Sequence, residues 1–144
     1  MIVPDVNVLV HAYNVPSVHH KVCRAWWEET LTRPRPVGLP WVTILGFVRV
    51  MTHRGILKIP MYPNDAIARV RDWLAVPGVQ ILSPGEFHAE IFFRLIEQVG
   101  TAGDLTTDAH LAALAIEYRG ELASTDTDFA RFPGLRWFNP VAAR

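Results

Sequence analysis

The sequence predicts an α/β fold in which a parallel sheet is covered by helices on both faces. Three observations point there. Short apolar runs at residues 1–3, 37–39, 79–82 and 121–125 alternate with longer segments whose apolar residues recur every three to four positions. Glycines and prolines such as Pro4, Pro34, Pro36, Pro77, Gly78, Gly100 and Gly120 punctuate the junctions. The chain has 144 residues, 50% hydrophobic and 10% aromatic, which fits one domain over 1–144 with a substantial core.

Taken in order, residues 1–3 form a strand ended by Pro4-Asp5, and Val6, Val8, Leu9, Ala12 and Tyr13 then lie on one helix face. Ser17 is placed to cap a helix over 20–31 with Val22, Ala25, Trp26 and Leu31 inward, broken by Arg33-Pro-Arg-Pro36. Adjacent Trp26 and Trp27 cannot share one helix face, which points one of them at a partner. After the strand 37–39, residues 41–54 carry apolar side chains at 41, 44, 45, 48 and 51, a helix closed by Gly55. Asn64 caps a run over 67–74, and a strand follows at 79–82. Residues 86–99 form an amphipathic helix ended by Gly100. Thr106 or Thr107 caps a helix over 108–119 stopped by Gly120, and strands at 121–125 and 135–138 close the chain.

Composition excludes several classes. The apolar content rules out disorder, and no run approaches the ~18 apolar residues of a membrane span. The start MIVPDVNVLV has no basic region and carries Asp5, unlike a secretory signal. A single cysteine, Cys23, allows neither a disulfide framework nor a cysteine zinc site and reads as a small buried apolar residue. A cytoplasmic protein is expected. Net charge is zero, but residues 1–72 hold nine Lys or Arg against five acids, and residues 73–144 hold five against nine. That asymmetry suits an anionic partner on one side and a cation on the other.

The acids carry the chemistry. In a parallel α/β sheet, ligands gather at the carboxyl ends of the strands. Asp5 follows the first strand, and Asp126 and Asp128 follow the fourth. Asp108 reaches the same edge if its helix starts there and runs back antiparallel to the strands, and Asp104 lies four residues earlier. Clustered carboxylates repel unless a cation neutralises them. A hard ion with oxygen ligands, Mg²⁺ or Mn²⁺, suits such a cluster better than zinc. Capping is the competing explanation, because Asp5, Asp104 and Asp108 all stand at helix starts and Asp126-Thr-Asp128 also suits a turn.

Among the cations, Arg33, Arg35 and Arg49, with Arg24, Arg54 and Lys58, are candidates for contacts to an anionic partner, and the prolines make Arg33 and Arg35 the most exposed pair. No histidine pair has zinc spacing, and His110, two residues past Asp108, points away from it.

Four segments carry a resemblance: Ile2-Val-Pro-Asp-Val-Asn-Val-Leu9, Thr107-Asp-Ala-His-Leu-Ala-Ala-Leu-Ala115, Ser124-Thr-Asp-Thr-Asp-Phe129 and Arg131-Phe-Pro-Gly-Leu135. In order and spacing they resemble the PIN-domain family, and within it the VapC-type toxins of type II toxin–antitoxin pairs. The resemblance implies an α/β/α sandwich that hydrolyses RNA with Mg²⁺, or Mn²⁺ as substitute, and is inhibited by a cognate antitoxin. A homodimer and a tRNA, rRNA or mRNA substrate are implied too. It puts catalytic and metal-binding acids at Asp5, Asp108 and Asp126 with Asp128 beside them, and supporting groups at Asn7 and Thr125. The family's usual second acid is absent: Gly46-Phe-Val-Arg49 stands where Glu and Arg are expected. One metal held by Asp5, Asp108 and Asp126 is the favoured consequence, with Asp104 or Asp128 as replacements. A catalytically weak scaffold that binds RNA or its antitoxin is the alternative. A phosphoacceptor role for Asp5 lacks the supporting lysine or Asp-x-Asp pattern.

Overall fold

Apolar stretches of three or four residues build five strands: β1 (Ile2–Pro4), β2 (Val37–Pro40), β3 (Val79–Leu82), β4 (Glu121–Ala123) and β5 (Arg136–Phe138). They pair in parallel in the order β3-β2-β1-β4-β5. The helices are α1 (Val6–Tyr13), α2 (His20–Thr32), α3 (Trp41–Met51), α4 (Pro63–Leu74), α5 (His88–Val99) and α6 (Thr106–Glu117). This computed structural model describes residues 1–142. Ala143 and Arg144, at the end of the expected domain, lie outside the described residues.

Strand alternation divides the interior in two. Ile2, Val37 and Leu39 face the core built by α1–α4, where Leu9, Trp27, Phe47 and Trp73 are buried. Val3 and Leu122 face the second core, with Leu95, Leu111, Leu114 and Phe129 from α5, α6 and the 3-10 turn Thr127–Arg131. This is the expected three-layer α/β/α sandwich.

Several local expectations change. In α2 the buried residues are Cys23, Trp26, Trp27 and Thr30, while Val22 and Ala25 are exposed. Trp26 packs on Phe138 with ring centroids 6.0 Å apart, and Trp27 meets Trp73 edge-on at 5.5 Å, so α2 is covered on two sides and both tryptophans are core. Ser17 is not its N-cap, although its hydroxyl accepts the His19 N–H at 3.1 Å. α3 ends at Met51, before Gly55, and leaves Trp41 and Leu45 exposed. α4 starts with Pro63 at its first position, which puts Asn64 inside the helix rather than at its cap. Past α6 the left-handed residue is Arg119 (φ 55°) and not Gly120. Gly120 is instead a close-approach position, since a Cβ there would lie 3.0 Å from the Met1 carbonyl oxygen. Cys23 is buried, and burial pushes its thiol up to about 11, consistent with an inert core residue.

Candidate metal centre

The carboxyl ends of β1 and β4 are adjacent, and the ladder runs one step further: the Asp5 N–H donates to the Ala123 carbonyl at 2.9 Å. Asp5 also caps α1, its Oδ1 accepting the Val6 N–H at 2.7 Å. From α3, the buried Thr43 hydroxyl donates to the Pro4 carbonyl at 2.9 Å and fixes the end of β1. Asp126 caps the 3-10 turn, its Oδ1 accepting the Asp128 N–H at 2.9 Å. Asp108 stands in the first turn of α6, which begins at this edge. Capping and clustering therefore coexist.

Asp108, Asp126 and Asp128 each present a carboxylate oxygen within 4.8 Å of the others. Asp5 stands behind this group and not inside it. Its oxygens face Val6, Ser124 and Asn7, with the Ser124 hydroxyl donating to Oδ2 at 2.7 Å and Asn7 Nδ2 donating to it at 3.2 Å. Three of the four expected metal-binding acids, Asp108, Asp126 and Asp128, are thus brought together, and Asp5 adjoins them closely enough for its charge to act on Asp108. Asp104 is exposed on the 3-10 turn Gly103–Leu105 and is not part of the group.

Electrostatically the cluster lacks a counter-charge. No Lys or Arg pairs with these acids among the described residues. Burial raises the Asp108 carboxyl to about 6, and the negative charges of Asp5, Asp126 and Asp128 push in the same direction. Burial raises Asp5 as well, opposed by its hydrogen bonds from Ser124 and Val6. An oxygen donor set with unneutralised negative charge could hold a divalent metal ion.

The supporting residue is Ser124 rather than Thr125. β4 ends at Ala123, so the next side chain turns inward, and Ser124 is fully buried. Its hydroxyl donates to Asp5 and accepts from Asn7 Nδ2 at 3.1 Å and from the Asp126 N–H at 3.0 Å. Thr125 contributes its backbone N–H, to Asn7 Oδ1 at 3.1 Å. Asn7 thus links Asp5, Ser124 and the Thr125 backbone. Ser124→Ala is expected to cost about 1–3 kcal/mol, because it strands buried polar partners, while Thr125→Ala costs little. Urea denaturation of both variants checks the contrast.

Arg33 and Arg35 are not brought to the carboxylates. They precede β2, at the opposite sheet edge, where Arg33 pairs with Glu29 and Arg35 donates to Glu121 at 2.6 Å. A short strand separates these edges by about 10 Å. Arg49 is exposed in the last turn of α3, far from the end that adjoins β1's carboxyl end. Gly46 is a packing residue: a Cβ there would lie 2.5 Å from Val6 Cγ2. His110 turns away from the acids, as expected, and meets His88.

A profile of the PIN domain matches residues 2–135. The chain is 43% identical to "Ribonuclease VapC33" of Mycobacterium tuberculosis over 141 residues, covering 98% of this chain and 99% of that protein. It is 44% identical to "Ribonuclease VapC37" of the same organism over 142 residues, covering 99% of each. Among solved structures, VapBC2 of Rickettsia felis bound to promoter DNA superposes with a TM-score of 0.69 at 19% identity, covering 96% of this chain and 98% of that one. The sarcin-ricin-loop-cleaving toxin VapC20 of Mycobacterium tuberculosis superposes at 0.64 and 16% identity, covering 94% and 99%. At these identities the structural matches speak for the fold.

Proposed function

This chain belongs to the PIN-domain family, and within it to the VapC-type proteins, and we propose that it is a metal-dependent endoribonuclease that acts as the toxin of a toxin–antitoxin pair. The observation that carries this reading is the convergence of Asp108, Asp126 and Asp128 at one sheet edge with no ion pair to a Lys or Arg among the described residues, backed by Asp5. Its partners are a cognate antitoxin and an RNA substrate. A homodimer belongs to the same proposal.

Asp108, Asp126 and Asp128 hold the metal in this reading, and Asp5 completes or orients the set. A bound Mg²⁺ lowers the pKa of its water and offsets charge on the phosphodiester. The chain's own residues do the rest. Ser124 and Asn7 hold Asp5 in one orientation beside the three clustered acids. The mutual repulsion that raises the Asp108 carboxyl in the metal-free protein would be relieved by a bound cation, which would hold Asp108 ionised as a ligand. Arg33, Arg35 and Arg49 remain in the proposal only as contacts to RNA that extends beyond the acidic edge. The weak-scaffold alternative rested on Gly46. Asp128 supplies a third clustered carboxylate without it, which favours the enzyme.

The test is RNA cleavage by antitoxin-free protein with Mg²⁺, with Mn²⁺ and with EDTA. Cleavage abolished by EDTA supports the reading, and metal-independent cleavage refutes it. A second measurement uses pH. The Asp108 carboxyl sits higher in the folded state than in the unfolded one, so its contribution to stability is full below the ordinary Asp range and lost as pH rises through about 6. Metal binding opposes that loss and, at a hundredfold excess over Kd, adds about 2.7 kcal/mol. Mn²⁺ is therefore expected to raise the melting temperature more at pH 8 than at pH 5. Equal shifts at both pH values would count against a carboxylate site.

A further inference from the structure

An open depression borders the start of α6, the helix whose first turn carries Asp108. It has a volume of about 370 Å³, lies open to solvent, and is lined by Val42, His88, Phe92, Thr106, Thr107 and His110. Thr106 and Thr107 share the first turn of α6 with Asp108, and Val42 sits in the first turn of α3, directly after β2. The cavity and the carboxylates therefore flank the same helix start. A helix with its side chains is about 10 Å across, so a strand whose phosphate meets the acids has a neighbouring nucleotide within reach of the cavity.

The lining suits a base rather than a phosphate. No Lys or Arg is present. His88 Nε2 and His110 Nδ1 are 3.0 Å apart, and such a contact requires one of the two nitrogens to be bare. The rings thus share one hydrogen bond, leaving the outer end of the pair without a partner among the described residues at His110 Nε2. At the other end His88 Nδ1 is buried and unpartnered. Whichever tautomer is present, one outer nitrogen is a donor and the other an acceptor. The His88 ring lies nearly parallel to Phe92, with 13° between planes, which leaves an aromatic wall. Trp41 and Phe87, chain neighbours of Val42 and His88, are both exposed. Aromatic faces and neutral hydrogen-bonding edges are what single-stranded bases stack on and read against.

We propose that the cavity of His88, His110 and Phe92 is a base-reading subsite that receives a nucleobase next to the scissile phosphodiester and sets the sequence preference of cleavage. The inference rests on the ribonuclease reading above but is tested separately from it. The probes are labelled single-stranded RNAs containing only A, only C or only U, titrated in EDTA against wild type, His110→Ala, His110→Gln and Phe92→Leu. Wild type is expected to favour one base. His110→Ala is expected to weaken that RNA by about tenfold and the others little, and His110→Gln to restore part of the loss. Phe92→Leu should weaken all three by removing the aromatic wall.

In parallel, sequencing of cleaved ends in Mg²⁺ should show one position beside the cut losing its preference in His110→Ala while cleavage continues. Unchanged base preference in His110→Ala overturns the proposal, as does equal loss on all RNAs or a change only in oligomeric state. Thermal melting of each variant identifies loss by misfolding, and in that event the His110→Gln result alone decides. Metal-dependent cleavage by wild type, lost in Asp108→Asn, upholds the ribonuclease reading whatever the His110 variants do.

Discussion

Asp108→Asn is expected to lower metal-dependent RNA cleavage by more than about a hundredfold, the upper end of the effect of losing only a supporting residue of a metal site. The same substitution is expected to make the metal-free protein more stable. At neutral pH Asp108 is charged against the negative charges of Asp5, Asp126 and Asp128 and is partly withdrawn from water. Asparagine keeps the shape and removes the charge. Because Asp108 is only half-buried, solvent screens much of the penalty, and the gain is about 1 kcal/mol. For a chain of this size that is a rise of about 3 °C in melting temperature. The gain should vanish below pH 4, where the wild-type carboxyl is protonated. Cleavage assays and melting curves in EDTA across pH check both halves. Retained activity would remove Asp108 from the site, and a fall in melting temperature at neutral pH would contradict the electrostatic account.

Gly46→Glu would place the missing family carboxylate, and it is expected to fail. The first atom of any side chain at 46 would lie 2.5 Å from Val6 Cγ2 and 3.1 Å from Cγ1, and valine's branched side chain has little freedom to yield. Gly46→Ala alone is expected to cost about 1–3 kcal/mol through overpacking, despite the ~1 kcal/mol that alanine gains over glycine inside a helix. Glu extends further into the same contact. The damage reaches the site, because Val6 follows Asp5 and its N–H holds Asp5 Oδ1. Activity should therefore fall with stability. Val6→Ala in the Gly46→Ala background is expected to recover stability, and a double-mutant cycle by urea denaturation measures the coupling. Full stability and raised turnover in Gly46→Glu would overturn this account.

Much of this was legible in the sequence. Apolar runs located the strands, and aspartates just past their ends located the site, because a parallel sheet brings those ends to one edge. What escaped was non-local. Ser124 and Thr125 are adjacent hydroxyls, and only the point where β4 ends decides which turns inward. Arg35 looked free in a proline-rich loop, yet its partner Glu121 lies 86 residues away. Trp26 and Trp27 seemed to need different surroundings, and α2 supplies both because it is covered on two sides. Asp5 was matched to a ligand, while the Ser124 hydroxyl that donates to its Oδ2 lies 119 positions further along.

Ser124 has a consequence for genetics. A saturation screen for loss of function would mark it as intolerant alongside the aspartates, though it is sealed from solvent and touches no substrate. Alanine removes the bonds to three partners. Threonine keeps the hydroxyl but must find room for a methyl group where none is exposed. Such a screen would rank Ser124 with the chemistry, and melting curves would separate them: variants at Ser124 lose stability as well as function, whereas Asp108→Asn loses function alone.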